Sequence, residues 1–174
     1  ALSSQACLEG MYYKPRTDHD VLAECAEGII CTSGCPSGEI PRLIQQGQLD
    51  EARKVALWYR DLFRDRFYFE LQKHELTELE KVNDVLVEWA QEMSVPLICT
   101  NDVHYVKKED APAQDLMLCV QTNTLFKDAK RMRMNNDSYY LKTAEEMQAL
   151  FGDMAPESLA TTVEIAERCN VTLK

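Results

Sequence analysis

Val95-Pro96-Leu97-Ile98-Cys99-Thr100-Asn101-Asp102-Val103-His104-Tyr105 is the stretch on which the fold turns. Its first six residues form a short apolar run, the pattern of a strand covered on both faces, as strands of parallel sheets are. The run passes straight into Asn101-Asp102-Val103-His104. Polar residues just beyond a parallel strand stand where ligands of α/β sheets collect.

Working outward, residues 77–93 place Val82, Val85, Leu86 and Trp89 on one side of a long amphipathic helix, and Arg66-Phe67-Tyr68-Phe69-Glu70-Leu71-Gln72 before it is an aromatic, partly alternating strand. Two helices, 40–46 and 49–63, carry apolar residues at helical spacing, with Gly47 as a stop between them. Gly28-Ile29-Ile30-Cys31-Thr32-Ser33 is a third buried strand, and it ends in Gly34-Cys35-Pro36-Ser37-Gly38. Strands alternating with helices predict parallel βαβ units and an α/β fold.

The flanks complete the plan. Residues 12–16 read as an extended lead-in, and Thr17-Asp18-His19-Asp20 as a helix start with Thr17 at the N-cap. Beyond Tyr105 the pattern is helical at 111–121, at 143–151 with a Thr143-x-x-Glu146 capping box, and at 156–168. The tail Asn170-Val171-Thr172-Leu173-Lys174 is strand-like. The chain thus divides into a βα portion, 1–105, and a mostly helical segment, 106–174. Three strands cannot close a barrel, which takes about 250 residues. A barrel-like reading therefore expects more of it upstream, and the start without Met carries the same expectation of a fragment.

Composition excludes several classes. The 174 residues hold 29 acidic and 19 basic side chains, a net charge of −10, which repels phosphate backbones and anionic membranes. No window reaches the roughly 18 apolar residues of a membrane span, and residues 1–10 lack the character of a signal peptide. The 7 cysteines are an odd set, and Cys31, Cys99 and Cys119 fall in apolar runs, so all are expected reduced and the compartment cytoplasmic. One basic cluster, Lys127, Lys130, Arg131 and Arg133, breaks the acidic average. It suits a nucleic-acid backbone, an acidic partner surface, or a solvated loop.

The strand ends supply the candidate chemistry: Cys35 after the first, Glu70, Gln72 and His74 at the second, Asp102 and His104 after the third. Thiolate, carboxylate and imidazole are ligand types for zinc or a similar divalent ion. In extended backbone, Asp102 and His104 point to the same face. Taken singly, each has an ordinary reading as well. Cys35 and Asp102 suit turns, His104 a surface hydrogen bond, Glu70 a contact with solvent or a lysine, and His74 a solvated loop. Gly34-x-x-x-Gly38 lacks the ending of a phosphate loop, Cys31-x-x-x-Cys35 lacks a second zinc-finger pair, and no Gly-x-Ser-x-Gly elbow occurs.

A set of longer motifs runs nearly end to end: Leu8-Glu9-Gly10-Met11-Tyr12-Tyr13-Lys14-Pro15-Arg16, Ser33-Gly34-Cys35-x-Ser37-Gly38-Glu39-Ile40-Pro41-Arg42, Asp65-Arg66-Phe67-Tyr68-x-Glu70-Leu71-Gln72-x-His74, Thr100-Asn101-Asp102-Val103-His104-Tyr105, Leu118-Cys119-Val120-Gln121-Thr122, Tyr140-Leu141-Lys142-x-x-Glu145-Glu146-Met147 and Ile165-Ala166-Glu167-Arg168-Cys169-Asn170-Val171. With these motifs the chain resembles the second half of the PHP domain of the C-family replicative polymerases, the bacterial DNA polymerase III alpha subunits.

The resemblance implies a partial, distorted (β/α) barrel of PHP type, with metal ligands scattered over the strand ends. Cys35 matches the family's cysteine ligand, and Asp102 and His104 its final Asp-x-His pair; Glu70 and His74 are further candidates at the same rim. The family's opening His-x-His and the palm carboxylates of nucleotide addition are absent from these residues. Also implied are zinc or manganese in the complete PHP site and magnesium in the whole polymerase, this segment alone expected to hold no metal or at most part of a site. The whole polymerase is an enzyme of DNA replication, its PHP site resembling a metal-dependent phosphoesterase with 3′→5′ proofreading exonuclease activity. The implied partners are the rest of the alpha chain, a proofreading exonuclease subunit, other replisome components, and DNA through the whole polymerase. Two other readings stand beside this one: a non-catalytic scaffold that docks the exonuclease, and a free-standing PHP phosphatase. Exposed strand edges in a half-barrel add an expectation of homodimers.

Overall fold

The structure is a computed structural model that describes residues 1–74 and 77–172. From the N-terminus, helix α1 (Leu2–Leu8) leads into an antiparallel hairpin, β1 (Met11–Tyr12) with β2 (Lys14–Pro15), and then into α2 (His19–Glu24). Strand β3 (Cys31–Thr32), helices α3 (Glu39–Gln45) and α4 (Leu49–Phe63), strand β4 (Phe67–Gln72), helix α5 (Thr77–Met93) and strand β5 (Leu97–Thr100) follow in alternation. Helices α6 (Ala111–Thr122), α7 (Ala144–Phe151) and α8 (Ser158–Arg168) close the chain.

The three longer-range strands form one parallel sheet in the order β3-β4-β5. Cys31 lies opposite Phe67, Phe69 opposite Leu97, and Gln72 opposite Thr100. Among the described residues the sheet is open at both edges, as expected for part of a barrel. Strand alternation gives its faces different work. Phe67, Phe69 and Leu71 enter the core with Val82, Leu86 and Trp89 of α5, Ala52 and Ala56 of α4, and Phe151 of α7. Each of the Val, Leu and Phe side chains contributes about 1.5–3 kcal/mol through burial. Tyr68, Glu70 and Gln72 take the opposite face.

Helix α5 forms because its apolar residues recur every three or four positions, and Leu79, Val82, Leu86, Trp89 and Met93 are all buried. Helix α7 starts with the expected capping box: the Thr143 hydroxyl accepts from the Glu146 N–H at 3.3 Å, and the Glu146 carboxylate accepts from the Thr143 N–H at 2.8 Å.

Several local expectations are corrected. The strand expected over 28–33 pairs only at Cys31–Thr32. Gly28 sits at φ 72°, and the run before the strand is held instead by the Arg66 guanidinium, which donates to the carbonyls of Ala26 at 2.6 Å and Ile29 at 2.8 Å. Asp18, not Thr17, caps α2: its carboxylate accepts from the Val21 N–H at 3.0 Å. The lead-in at 12–16 is a tight hairpin turning at Tyr13 (φ 58°). The strand expected over 170–174 is absent at 170–172, and Leu173 and Lys174 lie outside the described residues.

Candidate functional site

The carboxyl ends of β3, β4 and β5 face the same direction because the strands are parallel. After β3 the chain turns through Gly34 (φ 77°), and a Cβ at Gly38 would stand 2.5 Å from the Ser33 carbonyl oxygen and 3.0 Å from that of Cys35. Only glycine fits there. The Gly38 N–H donates to the Cys35 carbonyl at 2.7 Å, which presents Cys35, half-buried, at the tip of the turn that opens α3.

On β4, Glu70 lies at the centre of a hydrogen-bond ladder across all three strands. Its carboxylate accepts from the Thr32 hydroxyl at 2.6 Å, the Thr100 hydroxyl at 2.6 Å and the Gln72 amide at 3.2 Å. Its own N–H donates to Ser33 Oγ at 2.8 Å. The expected contact of Glu70 with solvent or a lysine is replaced by these internal bonds. The two hydroxyl partners were not legible in the sequence, because they lie 38 and 30 residues from Glu70.

His74, beyond β4, is 2% exposed, so the solvated-loop reading of this residue is set aside. Its ring stacks on Tyr139 with centroids 4.2 Å apart, Nδ1 is 2.9 Å from Ser138 Oγ, and buried Nε2 has no hydrogen-bond partner among the described residues. Burial first, then the nearby Lys142 ammonium, holds the imidazole below its ordinary pKa.

Beyond β5 the backbone leaves the strand. Asp102 adopts φ 45°, so the strand alternation expected to align Asp102 with His104 does not operate. A different device joins them. His104 Nδ1 donates to the backbone carbonyl of Asp102 at 2.6 Å and stands 4.0 Å from its carboxylate. Nδ1 is therefore the protonated nitrogen, and the lone pair resides on Nε2.

Asp102 and His104 are thus brought side by side, His74 approaches them across Tyr139, and Cys35 and Glu70 belong to neighbouring strand ends. Among the described residues no three His, Cys, Asp or Glu side chains are grouped as a metal ion would need. The Asp102–His104 pair fits a divalent ion by its chemistry: a half-exposed carboxylate beside an imidazole whose Nδ1–H is already fixed by a carbonyl, the usual preparation of a ligating histidine. The full set does not close within these residues.

The basic cluster divides. Arg131 faces inward, its side chain 1% exposed, with both guanidinium ends on the Asp115 carboxylate at 2.5 Å and its plane over the Phe126 ring. That departs from the expected partner contact at Arg131. Its bidentate pairing pins the 125–133 loop to α6. Lys127, Lys130 and Arg133 are exposed.

An open parallel α/β sheet with Cys, Asp and His at its carboxyl ends is the architecture of a partial PHP-type barrel, and residues 1–74 match the family model described as PHP domain. Asp102 and His104 lie beyond the matched span. Over 173 residues, 99% of the chain, it is 47% identical to DNA polymerase III subunit alpha of Treponema pallidum, covering 15% of that relative. It is 45% identical to the protein of that name from Borreliella burgdorferi over 97% of the chain and 15% of the relative, and 44% identical to that from Thermus aquaticus over 99% and 14%. Along nearly its whole length the chain is similar to proteins named DNA polymerase III subunit alpha, and it spans about 15% of the length of the curated relatives it matches. Among the described residues no helix is long and apolar enough to cross a membrane.

Proposed function

We propose that this chain is the C-terminal part of the PHP region of a replicative DNA polymerase alpha subunit, working in template-directed DNA synthesis in the bacterial cytoplasm. The observation that carries the reading is identity of 44–47% along nearly the whole chain to proteins named DNA polymerase III subunit alpha. In this reading both portions, 1–105 and 106–174, belong to the PHP region. Nucleotide addition, with its magnesium, belongs to other parts of the longer protein.

The strand ends contribute Asp102 and His104, with Cys35 on the adjoining turn, to a zinc or manganese site completed by residues outside this chain. A divalent ion bound there would supply Lewis-acid activation of a phosphodiester, the chemistry of a 3′→5′ proofreading exonuclease. This chain's own part is to orient. The Asp102 carbonyl fixes the proton on His104 Nδ1, and the Glu70 ladder ties the three strands whose ends carry the site.

A second reading rests on the exposed Lys127, Lys130 and Arg133: a scaffold that docks a separate proofreading exonuclease, with these three side chains on the contact surface. The exposed N-terminal hairpin, with Tyr13 89% exposed, is the edge through which this chain by itself would pair with a second copy. Primer extension and 3′→5′ degradation by the longer protein test these readings together. Template-directed extension is expected. Loss of 3′→5′ degradation in His104→Gln supports the nuclease, unchanged degradation supports the scaffold, and absence of primer extension overturns the polymerase reading.

A further inference from the structure

Residues 136–141 form no helix or longer strand, yet they tie together the exits of β4 and β5. The Asn101 side-chain amide donates to the carbonyls of Ser138 at 3.0 Å and Tyr140 at 2.6 Å. The His104 N–H donates to the Tyr139 carbonyl at 2.8 Å, and Tyr105 pairs with Tyr140 in a parallel bridge. On the other side the Asn136 amide donates to the His74 carbonyl at 2.6 Å.

The Tyr139 ring occupies the gap this strap spans. It is 6% exposed, lies face to face with His74 at 4.2 Å and 13°, and meets His104 edge-on at 5.6 Å and 90°. The His104 imidazole is therefore fixed from two sides. Its Nδ1 is held by the Asp102 carbonyl, and one of its flanks is held by an aromatic wall that His74 backs.

We infer that Tyr139 is a positioning residue for His104: its ring, supported by the buried His74, fixes the plane of the imidazole and with it the direction of Nε2, the nitrogen left to ligate. The inference rests on the reading of Asp102 and His104 as a metal-binding pair. It also gives His74 a role in support of the pair. A ring that must find its own orientation gives up freedom when it binds, whereas one held by neighbours does not, and partners of this kind alter metal affinity by about 10–100-fold.

The experiment uses the longer protein that carries this chain, with cobalt(II) as the probe. Visible absorption of cobalt(II) distinguishes nitrogen and sulfur ligands from the oxygen ligands of a polymerase palm. Titration is followed in wild type, His104→Gln, Tyr139→Ala, Tyr139→Leu and Tyr139→Phe, with thermal unfolding run in parallel. The expected result is loss of the band in His104→Gln, affinity weakened about 10–100-fold in Tyr139→Ala and Tyr139→Leu, and wild-type affinity in Tyr139→Phe, which keeps the ring. Where Tyr139→Ala unfolds, Tyr139→Leu, which refills the volume, decides. Wild-type affinity in a folded Tyr139→Ala or Tyr139→Leu, with the band lost in His104→Gln, overturns the positioning role and leaves the metal reading standing. A Tyr139→Phe variant as weak as Tyr139→Leu overturns it too, since the ring is then not what matters. An unchanged band in His104→Gln overturns the metal reading itself, and the inference with it.

Discussion

The imidazole of His104 hangs on the backbone of Asp102: Nδ1 is 2.6 Å from the Asp102 carbonyl oxygen and 4.0 Å from the carboxylate Oδ1. The bond exists because Asp102 turns the chain at φ 45°, a region that Asp and Asn enter far more readily than other residues with side chains. Replacing the side chain therefore has two separable effects. Asp102→Asn is expected to leave stability within about 0.5 kcal/mol of wild type. Asp102→Ala is expected to cost about 1–2 kcal/mol through backbone strain. Chemical denaturation checks the difference, and equal stability of the two variants would show that the turn carries no strain.

Glu70 collects hydroxyl protons from Thr32 and Thr100, both at 2.6 Å, and so joins the outer strands through the central one. Glu70→Ala strands both hydroxyls, and a loss of about 1–3 kcal/mol is expected. Thr32→Val in the Glu70→Ala background should then cost less than Thr32→Val alone, because the acceptor is already gone. Additive losses in denaturant melts would contradict the ladder.

Asp115 and Arg131 neutralise one another where the 125–133 loop meets α6. Asp115→Asn is expected to lower the melting temperature and to open the loop to limited proteolysis. Lys127→Ala, on the same loop but exposed, is expected to do neither. Cleavage rates that match between the two variants would mean the pair does not hold the loop.

The thiols separate by burial. Cys7 and Cys169 are exposed and are expected to react with a thiol reagent first, while Cys99 and Cys119 react only as the fold opens; peptide mapping by mass spectrometry reads the order. Burial pushes the Cys31 thiol from 9.0 up to about 11. With the folded value above the unfolded one, its contribution to stability is full below pH 9.0 and disappears as the pH rises to about 11. Cys31→Ala should therefore flatten the alkaline part of the stability curve relative to wild type, and identical slopes would show that Cys31 does not titrate there.

What the sequence disclosed followed period and burial. The amphipathic stripe of α5 was legible because one side packs on the core, the apolar runs of β4 and β5 because both of their faces are buried, and parallel pairing followed from the alternation of strands and helices. Helix α1 was not legible, since none of its residues is buried and no stripe marks it. The candidate residues could be listed from strand ends, but their arrangement could not. A single left-handed residue, Asp102, replaces strand alternation with a turn. The partners of Glu70 and Asn101 lie on segments that adjoin them only after folding, and a polar stretch such as 136–141 has no periodicity to announce its role.

The strap over the β5 exit also sets a schedule. Asn101 is bonded to Ser138, 37 positions later in the chain. As the polypeptide leaves the ribosome, β3, β4 and β5 can pair while Tyr139 and Tyr140 are still unmade, so the rim bearing Asp102 and His104 stays unfinished until the later segment has been synthesised. In a nascent chain, competence at this rim arrives after the sheet that supports it.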